Sequence, residues 1–283
     1  MAMSPEEMVD GISNLAGFPA VAIEIDAALV DENTGVDEIG AIVQKDPAMS
    51  VNLLRLANSA FYNRGAEVVS VSQAVSVIGS RRTRDIVFTQ SATDAFKAFP
   101  NDLLTEPDFW NHSAYCAVAA QLIGQKIGFS GSDGLYTAGL LHDIGQLIMF
   151  TICPDQSRQA LQLSVEQSDG LFPHLAEREI FGFDHGAVGG ALARKWELPP
   201  ALQACIEQHH IEPVQADVPV TAVDIVRVAS SVSVLAELMS DDIEESPRID
   251  DATLKRMNLN DEDLISVGAA TREQVDEMMG AFV

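Results

Sequence analysis

Basic residues are scarce in this chain. Its 283 residues hold 17 Lys and Arg against 42 Asp and Glu, a formal net charge of −25 at pH 7. Such a surface gains nothing from a phosphate backbone, which argues against a broad nucleic-acid footprint. Anionic membrane surfaces are disfavoured for the same reason. No uncharged apolar run is long enough to span a bilayer. The start, Met1-Ala-Met-Ser-Pro-Glu-Glu-Met8, lacks the basic region before an apolar core that marks a signal peptide. Cysteines are few: Cys116, Cys153 and Cys205 are far apart and odd in number. They point to a reduced, cytosolic protein without a disulfide framework. Strand-like alternation is short and rare, and no internal repeat is visible, so the whole chain reads as all-α.

What is present is a series of helix signals. Ser4-Pro-Glu-Glu7 has the capping-box form, with Pro at the first helical position, and predicts a helix to about Leu15. Asp46-Pro47 is a second start, a capping carboxylate followed by proline. Val71-Ser-Gln-Ala-Val-Ser-Val-Ile78 is apolar at i, i+3, i+4 and i+7 and is closed by Gly79. Ser80-Arg-Arg-Thr-Arg84, the most basic short run, reads as solvated surface. Phe99-Pro-Asn-Asp-Leu-Leu-Thr-Glu-Pro107 has prolines at both ends and no period, and marks a lobe boundary. This divides the chain into an N-terminal helical lobe over 1–105, a His-bearing lobe over 106–239 and an acidic tail over 240–283. The tail keeps periodic leucines and methionines and reads as short docked helices.

The chemistry concentrates in Ala138-Gly-Leu-Leu-His-Asp-Ile-Gly-Gln-Leu-Ile148, an apolar, helix-like run with His142 and Asp143 side by side in its middle. Burying an imidazole and a carboxylate is unfavourable unless each finds a partner. Together they make a divalent-metal site; the alternative is a buried His–Asp hydrogen bond that only specifies the core. His112, His185, His209 and His210 also lie near the ends of apolar helical segments. A His-rich set around one carboxylate suits iron, manganese, nickel or zinc better than calcium or magnesium. His174 has no matching acid and reads as structural. Cys116 and Cys205 share helix faces with candidate ligands, and small buried filler is the better reading for both.

In order along the chain, Phe18-Pro-Ala-Val-Ala22, Asp46-Pro-Ala-Met-Ser50, Leu53-Leu-Arg-Leu-Ala-Asn-Ser-Ala-Phe-Tyr62, Phe109-Trp-Asn-His-Ser113, the His142-Asp143 run, Phe181-Gly-Phe-Asp-His-Gly-Ala-Val-Gly189 and His209-His210 resemble the HDOD family. These are bacterial signalling relatives of the HD-domain metal-dependent phosphohydrolases. The resemblance implies an all-α, two-lobed fold whose second lobe is HD-like. It implies His112, His142 and Asp143 as metal ligands, with Ser230 where the hydrolases have a final Asp. By similarity to the HD-GYP cyclic-di-GMP phosphodiesterases, His185, His209 and His210 would complete a second metal position, bridged by Asp143. Three departures stand out. Ser230 is a poor ligand, Gln146 replaces a phosphate-facing Lys, and Ile211-Glu-Pro213 replaces the Gly-Tyr-Pro loop.

Two functions follow from the resemblance. One is a cytoplasmic signalling output protein that acts by binding a protein partner or small ligand, with a degenerate metal site. The other is a metal-dependent phosphohydrolase acting on a phosphoester or nucleotide, with Asp143 catalytic. A carboxylate at position 230 would be the mark of a complete hydrolase site.

Overall fold

The computed structural model describes residues 3–12, 20–30, 33–59, 62, 65, 67–96, 105–130, 134–166, 172–211, 218–247 and 249–280. Among these, every regular element is helical, as the scarcity of alternation predicts. The chain divides into two compact units, residues 1–15 with 97–272 and residues 16–96 with 273–283. The breaks expected at Gly17–Pro19 and over 99–104 lie outside the described residues.

Helix α1 (Pro5–Gly11) carries the expected capping box: Ser4 accepts from the Glu7 N–H, and Glu7 accepts from the Ser4 N–H. It buries Met8 and Val9 and packs on later helices of the larger unit, with Lys195 reaching Asp10 at 2.9 Å. The first helix therefore belongs with the His-bearing part of the chain. That assignment depends on two apolar side chains and could not be seen from its place in the sequence.

The smaller unit is built from α2 (Ala20–Val30), α3 (Val36–Val43), α4 (Pro47–Ala57), α5 (Val71–Ile78) and α6 (Ser80–Phe96). Asp46 caps α4 by accepting from the Ala48 and Met49 N–H groups. Gly79 ends α5 at φ +92°, a conformation that disfavours any side chain. The basic run opening α6 departs from expectation. Arg81 and Arg82 are exposed, but Arg84 is buried and donates to the buried Asp85 at 2.9 and 3.1 Å. Its neighbour in sequence supplies the charge that lets the guanidinium leave water.

The larger unit continues with α7 (Glu106–Lys126), α8 (Leu135–Leu141), α9 (Ile144–Ile152), α10 (Pro154–Glu166), α11 (Pro173–Phe181), α12 (His185–Lys195), α13 (Pro200–Gln208) and α14 (Ala222–Glu237). Helix α7 packs against α8 and α14, and α12 against α9 and α13. The acidic tail forms a short 3-10 turn, then α15 (Asp251–Met257) and α16 (Asp261–Gly280). At 20 residues α16 is longer than expected. Asp261, Glu262 and Asp263 in its first turn complement the helix dipole. Met257, Leu259, Leu264 and Val267 enter one apolar cluster with Cys116, Ile123, Leu135, Val228 and Val232. Each such fully buried side chain contributes about 1.5–3 kcal/mol, so this part of the tail docks despite its charge.

Candidate metal centre

The run Ala138–Ile148 is not one helix. It breaks at His142-Asp143, with His142 closing α8 and Asp143 opening α9. The His142 Nδ1–H donates to the Gly139 carbonyl at 2.8 Å, which fixes the ring inside the last turn of α8. Two glycines permit the break to be packed tightly. A Cβ on Gly139 would stand 2.7 Å from the Ala117 Cα of α7, and one on Gly145 would stand 2.0 Å from the His185 carbonyl oxygen. Helices α7 and α12 thus close on the His-Asp turn from two sides, and each brings a histidine.

All of the predicted ligand residues converge there. Asp143 Oδ1 lies 3.0 Å from His185 Nε2, 3.2 Å from His142 Nε2 and 3.3 Å from His209 Nε2. Asp143 Oδ2 lies 3.7 Å from His112 Nε2. His210 Nε2 lies 2.8 Å from His185 Nε2. The donor atoms form two groups, Asp143 with His185, His209 and His210, and Asp143 with His112 and His142, each within 4.8 Å. Asp143 is common to both, the place a bridging carboxylate would take.

The orientation of the rings is the decisive feature. In four histidines Nδ1 faces an oxygen that can only accept, so Nδ1 carries the proton. The partners are Gly139 O for His142 and Ile206 O for His209, at 2.8 and 2.9 Å. Glu237 Oε1 and Glu177 Oε2 serve His112 and His185, each at 2.6 Å. All four Nε2 atoms then turn toward Asp143. His142 Nε2 and Asp143 Oδ1 are buried, and neither makes a hydrogen bond. Lone pairs facing a carboxylate oxygen at about 3 Å repel unless positive charge sits among them. A divalent transition ion supplies that charge, so the donor set fits one.

Part of that positive charge comes from the protein itself, through His185 and His112, while His142 and His210 are held low. Burial drives the His142 pKa down to about 3, against the pull of Asp143, and keeps the ring neutral. Burial and the neighbouring His209 and His185 hold His210 well below its ordinary value. Burial alone would raise the Asp143 pKa, but the His142 and His185 rings beside it and the contacts from His185 and His209 hold it well below the usual carboxylate range. For His185 the sign reverses: burial would lower it, yet the Glu177 and Asp143 charges raise it well above normal. His112 is raised too, with Glu237 outweighing burial.

The centre opens into a cavity of about 600 Å³ lined by His112, Asp143, His210, Arg178, Arg227 and Ser230, among others. That volume suits a small ligand. The model of the HDOD domain matches residues 15–212. The chain belongs to the HDOD family. A solved HDOD domain protein of unknown function from Geobacter sulfurreducens is 26% identical with a TM-score of 0.76, covering 96% of both chains. A candidate phosphohydrolase from Shewanella amazonensis SB2B is 22% identical with a TM-score of 0.70, covering 98% of both, and shares the fold. A sequence relative in Treponema pallidum (strain Nichols) is 24% identical over 207 residues. That match takes in 72% of this chain and 39% of the relative, so the chain spans well under half of the relative's length.

Within this HDOD chain several residues show roles that sequence reading missed. Glu177, one turn before the end of α11, accepts from His185 Nδ1–H and from the His185 backbone N–H. Glu237 closes α14 against His112. His174, expected to be structural, stacks on His210 with ring centroids 3.9 Å apart and lines the cavity. Burial, with the nearby His185 and Arg178, lowers its pKa to about 4. Only the Glu177 pairing left a faint signal, an acid eight residues before a candidate ligand. Asp224, also on α14, joins neither donor group and pairs with Arg227 and Arg256 at 2.8 Å. Cys116 and Cys205 are buried and join neither ligand group. Glu212 and Pro213, where the Gly-Tyr-Pro pattern is left, lie outside the described residues. No helix among the described residues is long and apolar enough to cross a membrane.

Proposed function

We propose that this HDOD chain is a regulatory module. In this reading its imidazole-lined cavity holds a divalent transition ion and an anionic small ligand, and its output is a binding event passed to a protein partner. The observation that carries the reading is the side chain of Gln146. Its amide donates to Asp143 Oδ2 at 3.0 Å. One carboxylate oxygen is thus already engaged by a neutral amide, which leaves it less free to accept a proton from water. Ser230 adds only a hydroxyl to the cavity wall. Arg178 and Arg227 line the same cavity; each is also paired with an acid, Asp184 and Asp224, and an anion would share their remaining N–H groups.

The alternative is a metal-dependent phosphohydrolase, supported by the retention of His112, His142, Asp143, His185, His209 and His210. An ion bound there would supply Lewis acidity toward a phosphoryl oxygen. In that reading the arginines orient the phosphoester and Asp143 holds a water by its free lone pairs.

The two separate in one experiment on the full chain loaded with manganous ion. Calorimetry reads inorganic phosphate binding, and release of nitrophenol from bis(4-nitrophenyl) phosphate reads turnover. The regulatory reading expects phosphate to bind without turnover above free metal. It also expects a gain of turnover in Gln146→Lys combined with Ser230→Asp. Wild-type turnover that disappears in Asp143→Asn would move the assignment to hydrolase.

A further inference from the structure

The two ligand groups are unequal. Asp143, His185, His209 and His210 offer four donors, whereas His112, His142 and Asp143 offer three and share their only carboxylate with the first group. Helix α14 contributes Arg227, Ser230, Ser231 and Val234 to the cavity wall, and none of these is a carboxylate. Seven residues beyond Ser230 on α14 is Glu237. Two helical turns bring it to nearly the same face, within about 20°. Glu237 Oε1 meets His112 Nδ1 at 2.6 Å, while the other ring nitrogen of His112 faces Asp143 Oδ2 at 3.7 Å. Carboxylate, imidazole and carboxylate therefore stand in line, with the middle ring a candidate ligand.

We propose that Glu237, acting through His112, supplies the carboxylate that the His112, His142 and Asp143 group lacks. The inference rests on the metal-binding reading above. Glu237 is a positioning residue, because it belongs to neither donor group and acts only on the far nitrogen of His112. Its Oε1 accepts the Nδ1–H, which leaves Nε2, the nitrogen facing Asp143, as the one that can bind an ion. Its charge reaches the centre through a polarised imidazole, as outer-shell carboxylates do in histidine–metal sites. Glu177 does the same for His185 in the richer group, so each group has one histidine backed by a carboxylate. The geometry makes the poorer group the weaker of the two for a cation, with its affinity set at position 237.

The test is a calorimetric titration of the metal-free full chain with manganous ion, supported by elemental analysis. Wild type should show a tight and a weak class of site. Glu237→Gln should loosen the weak class about 10–100-fold and leave the tight class unmoved. Adding Ser230→Asp to Glu237→Gln should restore the weak class by placing a carboxylate directly on the group. A role confined to packing would show no such rescue. A folded Glu237→Gln chain, judged by its wild-type Tm, that binds both classes unchanged would overturn the inference alone. A wild-type chain that binds no manganese, iron or zinc would overturn the metal reading and the inference with it.

Discussion

Glu177 and His185 are joined twice through a single oxygen. Glu177 Oε2 accepts from the His185 backbone N–H at 2.8 Å and from its Nδ1–H at 2.6 Å. Both residues are buried. One carboxylate thus serves the first turn of α12, sets the tautomer of the ring and aims Nε2 at Asp143, 3.0 Å away. Glu177→Gln should keep the fold and lower transition-metal affinity about 10–100-fold. Glu177→Ala strands both donors and should also destabilise the chain by about 1–3 kcal/mol. Isothermal titration calorimetry and thermal melts check the two effects separately. A Gln variant with wild-type affinity would detach Glu177 from the centre.

Elemental analysis of protein purified without affinity tag or chelator is the direct measure of the centre. We expect about one equivalent or more of iron, manganese, nickel or zinc. His185→Ala and His209→Ala should each abolish it. Because the ion binds only the folded chain, loading at about 100 times Kd should stabilise it by about 2.7 kcal/mol. A melt indifferent to added metal, in protein that also purifies without it, would leave the histidines as core polar residues.

Gly145 is the tightest point of the site, with His185 O 2.0 Å from where a Cβ would sit. Both that oxygen and the Gly189 N–H, 2.6 Å away, are backbone, so no side chain can swing clear. Gly145→Ala should force α9 from α12, destabilise the chain by about 1–3 kcal/mol or more and weaken metal binding together with it. An unchanged Tm would show that the two helices slide freely.

Asp224 makes stability depend on acid. Burial would raise its pKa, but the Arg256 and Thr221 contacts outweigh that and hold it below the ordinary carboxylate value. The folded pKa being the lower one, its contribution is complete above the unfolded value of about 3.9. It is lost as pH falls through the folded value. Asp224→Asn should destabilise the chain by about 1–3 kcal/mol at neutral pH and flatten this acid limb. Denaturant melts at pH 7 and across the acidic range measure both; parallel curves for wild type and variant would refute the pairing.

The local signals in the sequence were clear wherever the chemistry was local. Asp46-Pro47, Ser4-Pro5 and the Gly79 stop each use groups within four residues, and each stands as the pattern predicts. The convergence of the histidines was legible for a different reason: each lies near the end of an apolar segment, beside residues that the core buries. The break at His142-Asp143 was not legible, because the apolar residues on either side of the pair read as one helix. What breaks the helix is the His142 ring bonding to Gly139 O, and two neighbouring helices close enough to need glycine.

The sequence by itself determined the all-α class, the family and the residue types of the centre, since these follow from periodicity, motif order and side-chain chemistry. Tertiary structure alone decided the rest. Glu237 meets His112 across 125 residues, Arg84 is buried by packing that its basic neighbours conceal, and α1 joins the unit that carries the histidines. Each depends on which helix faces land together, and no spacing along the chain encodes a contact between surfaces that only folding brings into register.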